Sequence, residues 1–198
     1  MSFGFSAEGM LGQGFGLRHS PEPQAVFLPP ENGSEDGNAI VSLSAGASHV
    51  ICITENGNAY SWGVDKNGRL GLRAEEYHTA STDKEKIAIE WVPQRVDVQR
   101  HATKTSQGEP EDSTFAVKVC GGYDSSVLLM RSGQLLSFGK RSGRLGRGEV
   151  ESDVLEPRPM HGGLCLFRKK QEAKVGDDIN TTTPKKAGLI RAQSNSYW

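Results

Sequence analysis

The sequence has little cysteine. Its three cysteines, Cys52, Cys120 and Cys165, are an odd number at wide spacing, which provides neither a disulfide framework nor a metal-binding knuckle. We expect plain thiols, packed as small hydrophobes. His-x-x-x-His, Cys-x-x-Cys and His-Glu-x-x-His spacings are also absent, so the sequence gives no support for a metal site and predicts no cofactor.

An excess of charge of one sign is missing too. With 23 Lys and Arg against 24 Asp and Glu, the net charge of −1 gives no global field for DNA, RNA or an acidic membrane surface. No window is long and apolar enough to span a bilayer. The first residues, MSFGFSAEGML, lack the basic region and apolar core of a secretory signal. The predicted location is therefore intracellular, in the cytoplasm or the nucleus.

Glycine, in contrast, is abundant at 24 residues, and much of it belongs to an internal repeat. The stretch from Ile40 to Leu72 recurs with changes from Ala116 to Arg147. A repeat of this kind decides the architecture before any local pattern does. The matching positions, 76 residues apart, are Gly46, Gly57, Trp62 and Gly63 against Gly122, Gly133, Phe138 and Gly139.

A Gly-x-Leu-Gly turn follows each aromatic-Gly pair. A third instance of the pair and the turn opens the chain. The turns contain Gly68, Leu70 and Gly71, then Gly143, Leu145 and Gly146, and at the start Gly9 and Gly12 after Phe3-Gly4. We expect the leucine side chain of each turn to point inward and pack in the core.

Each full copy reads as a β-hairpin. The run VICIT, Val50 to Thr54, is apolar and β-branched, which predicts a buried strand. Asn56-Gly57 then indicates a tight hairpin turn, because both positions can take positive φ, and Ala59 to Trp62 forms the return strand. Gly63 and Gly139 follow the aromatic where a bend or bulge is expected. Such a small sheet needs neighbours to bury its apolar face.

These residues resemble the regulator of chromosome condensation repeat, whose blades form a β-propeller. The resemblance covers roughly residues 2 to 160 and implies that His49 satisfies backbone groups between blades. Ser125 stands where the second copy would have its His. Because Phe3, Trp62 and Phe138 share one repeat position, we expect a core layer rather than a ligand cage.

The predicted fold is all-β: an incomplete β-propeller of about two full blades plus a partial blade, with a disordered C-terminal tail. Typical propellers carry four to eight blades, so this chain does not close a ring alone. Residues 1–27 form the C-terminal part of a blade, 28–98 the first full repeat with a loop insertion, 99–114 a polar linker, and 115–160 the second full repeat. Residues 161–198 are a partial strand and a basic, disordered tail.

Catalytic chemistry finds no support. Gly12-Gln13-Gly14-Phe15-Gly16 lacks the Gly-Lys-Ser/Thr of a phosphate loop and reads as a glycine-rich turn. Ser48 and His49 are adjacent on a strand and point to opposite faces, which does not suit a nucleophile and its base. Basic residues cluster near the two turns: Lys66, Arg69, Lys140, Arg141 and Arg144. They form either a basic rim that binds an acidic partner or a charged surface that only keeps the protein soluble.

The sequence therefore predicts a non-catalytic protein–protein interaction scaffold. The resemblance offers an alternative, guanine-nucleotide exchange on a Ran-type small GTPase, although no exchange residue maps onto this chain. Contact with nucleic acid or chromatin is the weakest alternative, because the net charge is close to zero. The sequence does not identify the partner, the role of the basic tail, the oligomeric state, or whether further blades exist.

Overall fold

The computed structural model describes residues 1–30, 39–72, 88–98, 114–148 and 151–160. Several predictions from the sequence lie outside these residues. They are the insertion after the first full copy, nearly all of the polar linker 99–114, the further strand after Met160, and the disordered tail.

The described residues form ten strands in three antiparallel sheets. The sheet orders are β1-β2, β3-β4-β5-β6 and β7-β8-β9-β10, so the two full copies are two four-stranded blades. The strands are β1 Ser2–Phe5, β2 His19–Gln24, β3 Ile40–Ala45, β4 His49–Thr54, β5 Ala59–Asp65, β6 Ala88–Val96, β7 Ala116–Gly121, β8 Ser125–Met130, β9 Leu135–Gly139 and β10 Val154–Pro159.

The predicted hairpins are confirmed. β4 is buried along its whole length because it lies between β3 and β5, and β-branched residues fill both of its faces. Val50 pairs with Trp62 across the hairpin. In the second copy Ser126 pairs with Phe138 at the equivalent place.

The hairpin turn lies at Asn56-Gly57, as predicted, and the structure defines its type. Only Gly57 has positive φ (76°), and Asn56 does not. The Gly57 N–H donates to the Thr54 carbonyl at 2.8 Å, and the Thr54 N–H donates to the Asn58 carbonyl at 3.0 Å. This is a three-residue loop that closes on a single left-handed glycine, so of the two positions that can take positive φ only the glycine does. Gly133 (φ 85°) closes the second hairpin in the same way.

The apolar faces of the two blades are buried against each other. One core cluster draws residues from both sheets, including Ile51 and Ile53 from the first and Leu128, Leu136 and Phe138 from the second. Burial of each such side chain stabilises the fold by about 1.5–3 kcal/mol. Neither sheet reaches this burial alone, as expected for stacked repeats.

Two packing predictions were wrong. Phe3 is 67% exposed, whereas Trp62 and Phe138 are buried. The reason is that β1 pairs only with β2 among the described strands, whereas β5 and β9 each have a strand on both sides. Cys120 is exposed on β7, whereas Cys52 is fully buried, and burial raises the pKa of the Cys52 thiol to about 12. Cys165 lies outside the described residues.

Candidate protein-interaction surface

One end of the two blades is formed by the turns and loops of both repeats. We call the surface made by residues 46–48, 66–71, 122–124 and 140–146 the loop face. Its parts are joined across the blade boundary: the Ala47 N–H donates to the Gly122 carbonyl at 3.3 Å. Within the second blade, the Lys140 N–H donates to the Asp124 carbonyl at 2.8 Å.

The three Gly-x-Leu-Gly turns share one geometry. The last glycine of each has left-handed φ (68°, 71° and 64°) and donates to the carbonyl of the first at 3.0–3.2 Å. A serine hydroxyl from the preceding strand donates to the leucine carbonyl at 2.7 Å in both full copies. Leu70 and Leu145 are fully buried. The copies differ at the first glycine, because Gly9 and Gly68 have positive φ and Gly143 does not.

The last glycine of a turn also receives the aromatic ring of the following blade. A Cβ on Gly12 would lie 2.7 Å from Nε1 of Trp62, and a Cβ on Gly71 would lie 2.8 Å from the Phe138 ring. Side chains do not tolerate such distances, so these positions need glycine. Trp62 Nε1 also donates to the Met10 carbonyl at 2.9 Å. The aromatic thus belongs to the blade junction as much as to its own sheet.

His49 lies at the blade junction, as expected, but its partner is a side chain rather than the backbone. Its Nε2 lies 2.8 Å from Ser126 Oγ, which donates its single proton to the Arg69 carbonyl at 2.9 Å. Ser126 Oγ must therefore accept from His49, which places the proton on Nε2. Burial, with a smaller effect of the Arg69 charge, lowers the pKa of His49 to about 4, so the ring is neutral. Gly46 packs against this ring.

Arg69 does not lie on a basic rim. Its side chain is 6% exposed, and NH2 donates to Asp124 Oδ1 at 2.5 Å across the blade boundary. Its Nε donates to the Lys66 carbonyl at 3.0 Å. The prediction was wrong because the second blade covers the turn that carries Arg69. Asp124, which the sequence analysis missed, occupies the position of Ser48 in the repeat and gave no signal of its own.

Carboxylates lie close to two of the remaining basic residues, Lys140 and Arg141. Lys140 Nζ lies 3.9 Å from Asp124 Oδ2. Asp153 Oδ1 accepts the Arg141 backbone N–H at 2.7 Å, and Asp153 Oδ2 accepts from Asn67 at 2.7 Å. The loop face is therefore of mixed charge. Arg144 is exposed and has no ion pair or hydrogen bond to another described side chain.

The loop face contains a single aromatic side chain, Tyr123, which is 71% exposed. It occupies the repeat position of Ala47, so the aligned copies gave no reason to select it. Its turn is held by the Gly122 N–H, which donates to the Ser125 carbonyl at 2.7 Å, and by the bond from Ala47.

The aromatic-Gly positions allow close backbone contact. A Cβ on Gly63 (φ 107°) would lie 2.8 Å from the His49 Cα, and one on Gly139 (φ 119°) would lie 2.5 Å from the Ser125 Cα. The β5–β6 register shifts next to Gly63, between Ser61 and Gly63, as a bulge would require. At the chain start Gly4 also has positive φ (101°), in open space.

Asp65, the last residue of β5, is half-buried next to the loop 66–71, and its Oδ1 accepts the Leu70 N–H at 3.4 Å. Burial raises the pKa of this carboxyl to about 6.

The described residues contain no group of three or more metal-ligating side chains placed to hold an ion. In the same part of the chain, no helix meets the length and hydropathy needed to cross a bilayer.

Comparison with known proteins agrees with this geometry. Two models of the regulator of chromosome condensation (RCC1) repeat match residues 40–69 and 56–129. The serine/threonine-protein kinase Nek9 of Mus musculus is 32% identical over 126 residues, which are 63% of this chain and 10% of Nek9. The regulator of chromosome condensation of Mus musculus is 32% identical over 150 residues, which are 74% of this chain and 28% of the relative. The chain thus spans between a tenth and a third of the length of these relatives.

A solved structure shares the fold. Prp20p from Saccharomyces cerevisiae superposes with a TM-score of 0.56 at 20% identity, covering 78% of this chain and 32% of Prp20p. That structure was described together with the binding of Prp20p to Gsp1p and histones. At this identity the likeness concerns the propeller fold alone.

Proposed function

This chain is an RCC1-type propeller repeat protein, and on that premise we propose that it is a non-catalytic scaffold that binds a protein partner through the loop face. The partner-binding residues are Tyr123 and the basic side chains around it, Lys66, Lys140 and Arg141. Arg69 has a different role, because its buried charge holds the two blades together.

The exposure of Tyr123 carries the proposal. Tyrosine is enriched among the side chains that contribute most to protein–protein binding, since it combines apolar area with a polar tip and few rotatable bonds. Its turn is fixed by backbone hydrogen bonds on both sides. A pre-ordered turn loses little entropy on binding, so more of the contact energy appears as affinity.

The relatives support a protein partner in general terms. Prp20p was studied for its binding to Gsp1p and histones, both proteins. By analogy, this chain binds a protein partner in the nucleus or the cytoplasm. The scaffold has no catalytic activity of its own. The repeats match Nek9 over only 10% of that kinase.

The test is affinity purification with the full chain and two matched variants. Tyr123→Ala removes the aromatic of the loop face, and Phe27→Ala removes an aromatic that is 81% exposed elsewhere. We expect a partner that is retained by the Phe27 variant and lost by the Tyr123 variant. Titration of the purified partner should then show Kd raised about tenfold or more by Tyr123→Ala, the effect of a residue worth at least 1.4 kcal/mol.

Two other assays separate the alternatives. Accelerated nucleotide release from a small GTPase would show that the chain is an exchange factor rather than a scaffold. Nucleosome binding that weakens steeply with salt would replace it by a chromatin-binding module. Equal partner binding by both variants would agree with a scaffold role but would show that Tyr123 does not belong to the binding surface.

A further inference from the structure

We propose that Ser142 is a phosphorylation site for a protein kinase that recognises basic segments, and that its phosphate weakens partner binding at the loop face. Ser142 lies where the chain passes from β9 into the Gly-x-Leu-Gly turn of the second blade. The second half of the inference rests on the proposed function, because it concerns the same surface. The first half depends only on the surroundings of the Ser142 hydroxyl.

The Ser142 hydroxyl is accessible and makes no hydrogen bond within the described residues. It does not cap the short 3₁₀ turn, residues 143–145, that follows it. The backbone at Ser142 is extended (φ −166°, ψ 159°), which is the conformation in which kinases bind the residue that they modify. A Cβ added to Gly143 would meet nothing within 4 Å, so the space beside the partly exposed serine is open. A kinase can therefore reach Ser142 without unfolding of the blade.

Basic side chains stand on both sides of Ser142 in the sequence. Lys140 and Arg141 precede it directly and Arg144 follows two residues later, and all three are exposed. Residues 125–148 contain no Asp or Glu that would offset these charges in a bound segment. A kinase with an acidic substrate groove selects such a segment by charge and rejects uncharged ones. The position of Ser142 therefore fits this class of kinase.

The chain contains the same Arg-Ser-Gly tripeptide at a second place, which provides a matched control. Residues 131–133 form the hairpin turn of the second blade. There the Ser132 hydroxyl accepts the Gln134 N–H at 3.4 Å. The guanidinium carbon of Arg131 lies 3.3 Å from the centre of the Phe115 ring. The residues two positions before and after this serine, Met130 and Gln134, are uncharged. Ser132 thus shares the tripeptide but has neither the free hydroxyl nor the flanking charges.

The transfer takes ATP as the co-substrate of the kinase. Ser142 Oγ attacks the γ-phosphorus and a new O–P bond forms. The bond from that phosphorus to the oxygen of the leaving ADP breaks, and the hydroxyl proton passes to a carboxylate of the kinase. The phosphate adds a charge of about −1.5 to −2 beside three exposed cationic side chains. It offsets the positive charge of this part of the loop face, so an acidic partner surface binds less tightly.

The first test is a kinase assay on the folded full chain. The probe is the catalytic fragment of protein kinase C, which prefers basic residues on both sides of its acceptor, and mass spectrometry measures the phosphate at each serine. Phosphate should enter Ser142 about tenfold faster than Ser132, or more. Arg144→Gln should lower the rate at Ser142 about fivefold without changing the midpoint of thermal unfolding, since Arg144 is exposed. Equal rates at the two serines, or a rate that Arg144→Gln leaves unchanged, would overturn the inference. Absence of phosphate at Ser142 would overturn it as well.

The second test measures the Kd of the loop-face partner for the phosphorylated and the unmodified chain. Phosphorylation should raise Kd about tenfold. Ser142→Ala, treated with the kinase in the same way, should bind like the unmodified chain. An unchanged Kd with phosphate on Ser142 would refute the regulatory half. A partner whose binding does not depend on Tyr123 would contradict the proposed surface, and the regulatory half would fail with it. The kinase assay would then decide by itself whether Ser142 is a phosphorylation site.

Discussion

The ion pair between Arg69 and Asp124 offers the sharpest test of how the blades are joined. Both side chains are largely covered, at 6% and 22% exposure, and their atoms lie 2.5 Å apart. Removal of one partner of a buried pair leaves the other charge without compensation and costs about 3–5 kcal/mol. We expect Arg69→Ala to lower the free energy of unfolding by about 3 kcal/mol, the lower end, because Lys140 still lies near Asp124.

The assay is urea unfolding followed by circular dichroism. Arg144→Ala is the matched control, since it is the same residue in the equivalent turn but exposed. It should change the free energy of unfolding by no more than about 0.5 kcal/mol. A double-mutant cycle with Asp124→Ala isolates the pair itself, and its interaction energy should be about 1 kcal/mol or more.

Two results would refute the reasoning. Equal losses for the Arg69 and Arg144 variants would mean that burial at the junction does not decide the strength of the interaction. An interaction energy near zero would mean that Arg69 acts through packing and its bond to the Lys66 carbonyl rather than through Asp124.

The remaining predictions concern pH and close packing. His49 titrates at about 4 in the folded protein, below its ordinary 6.5, so the unfolded chain binds more protons in this interval and stability contributed by His49 falls as pH drops from about 6.5 to 4. His49→Gln should remove that loss, as measured by urea unfolding at several pH values. Asp65 has the opposite effect, because its pKa is raised from 3.8 to about 6 and the folded chain binds more protons in this interval. Its contribution to stability therefore falls as pH rises from about 4 to 6, and Asp65→Asn should remove that fall. Gly71→Ala should cost about 3 kcal/mol, because it adds a Cβ 2.8 Å from the Phe138 ring to a left-handed backbone.

Controls are available for each of these changes. Between pH 4 and 6 the contributions of His49 and Asp65 to the free energy of unfolding change in opposite directions and nearly cancel in the unsubstituted protein. Each variant should therefore show the pH dependence that the other residue causes. A wild-type-minus-variant difference that does not change with pH would contradict the corresponding assignment. For the glycine, Gly148→Ala is the control, since Gly148 has a similar φ of 73° and nothing within 4 Å of the added Cβ. It should cost only about 1–2 kcal/mol, the backbone strain alone. Equal losses at both positions would contradict the packing argument.

The hairpins were predictable because they depend on neighbours in the sequence. Apolar runs on both sides of a glycine turn fix where strands begin and how they pair, and the repeated spacing indicated that two such units stack. The resemblance to a propeller family added the expectation that these units are propeller blades. Even here the type of the turn at Gly57 stayed open, since asparagine–glycine pairs fit more than one loop length.

The junction was not predictable, because it depends on residues that are far apart in the sequence. Arg69 and Arg144 have nearly the same local sequence, but only Arg69 is covered by a following blade and meets Asp124. Phe3 and Trp62 share a repeat position, but only Trp62 has a strand on each side. The sequence by itself determined the strands, the positions of the turns and the number of copies, since those follow from local backbone preference. Only the tertiary structure decided which equivalent residues are buried, paired or exposed, because burial depends on what packs against each blade and the repeat pattern is the same in either case.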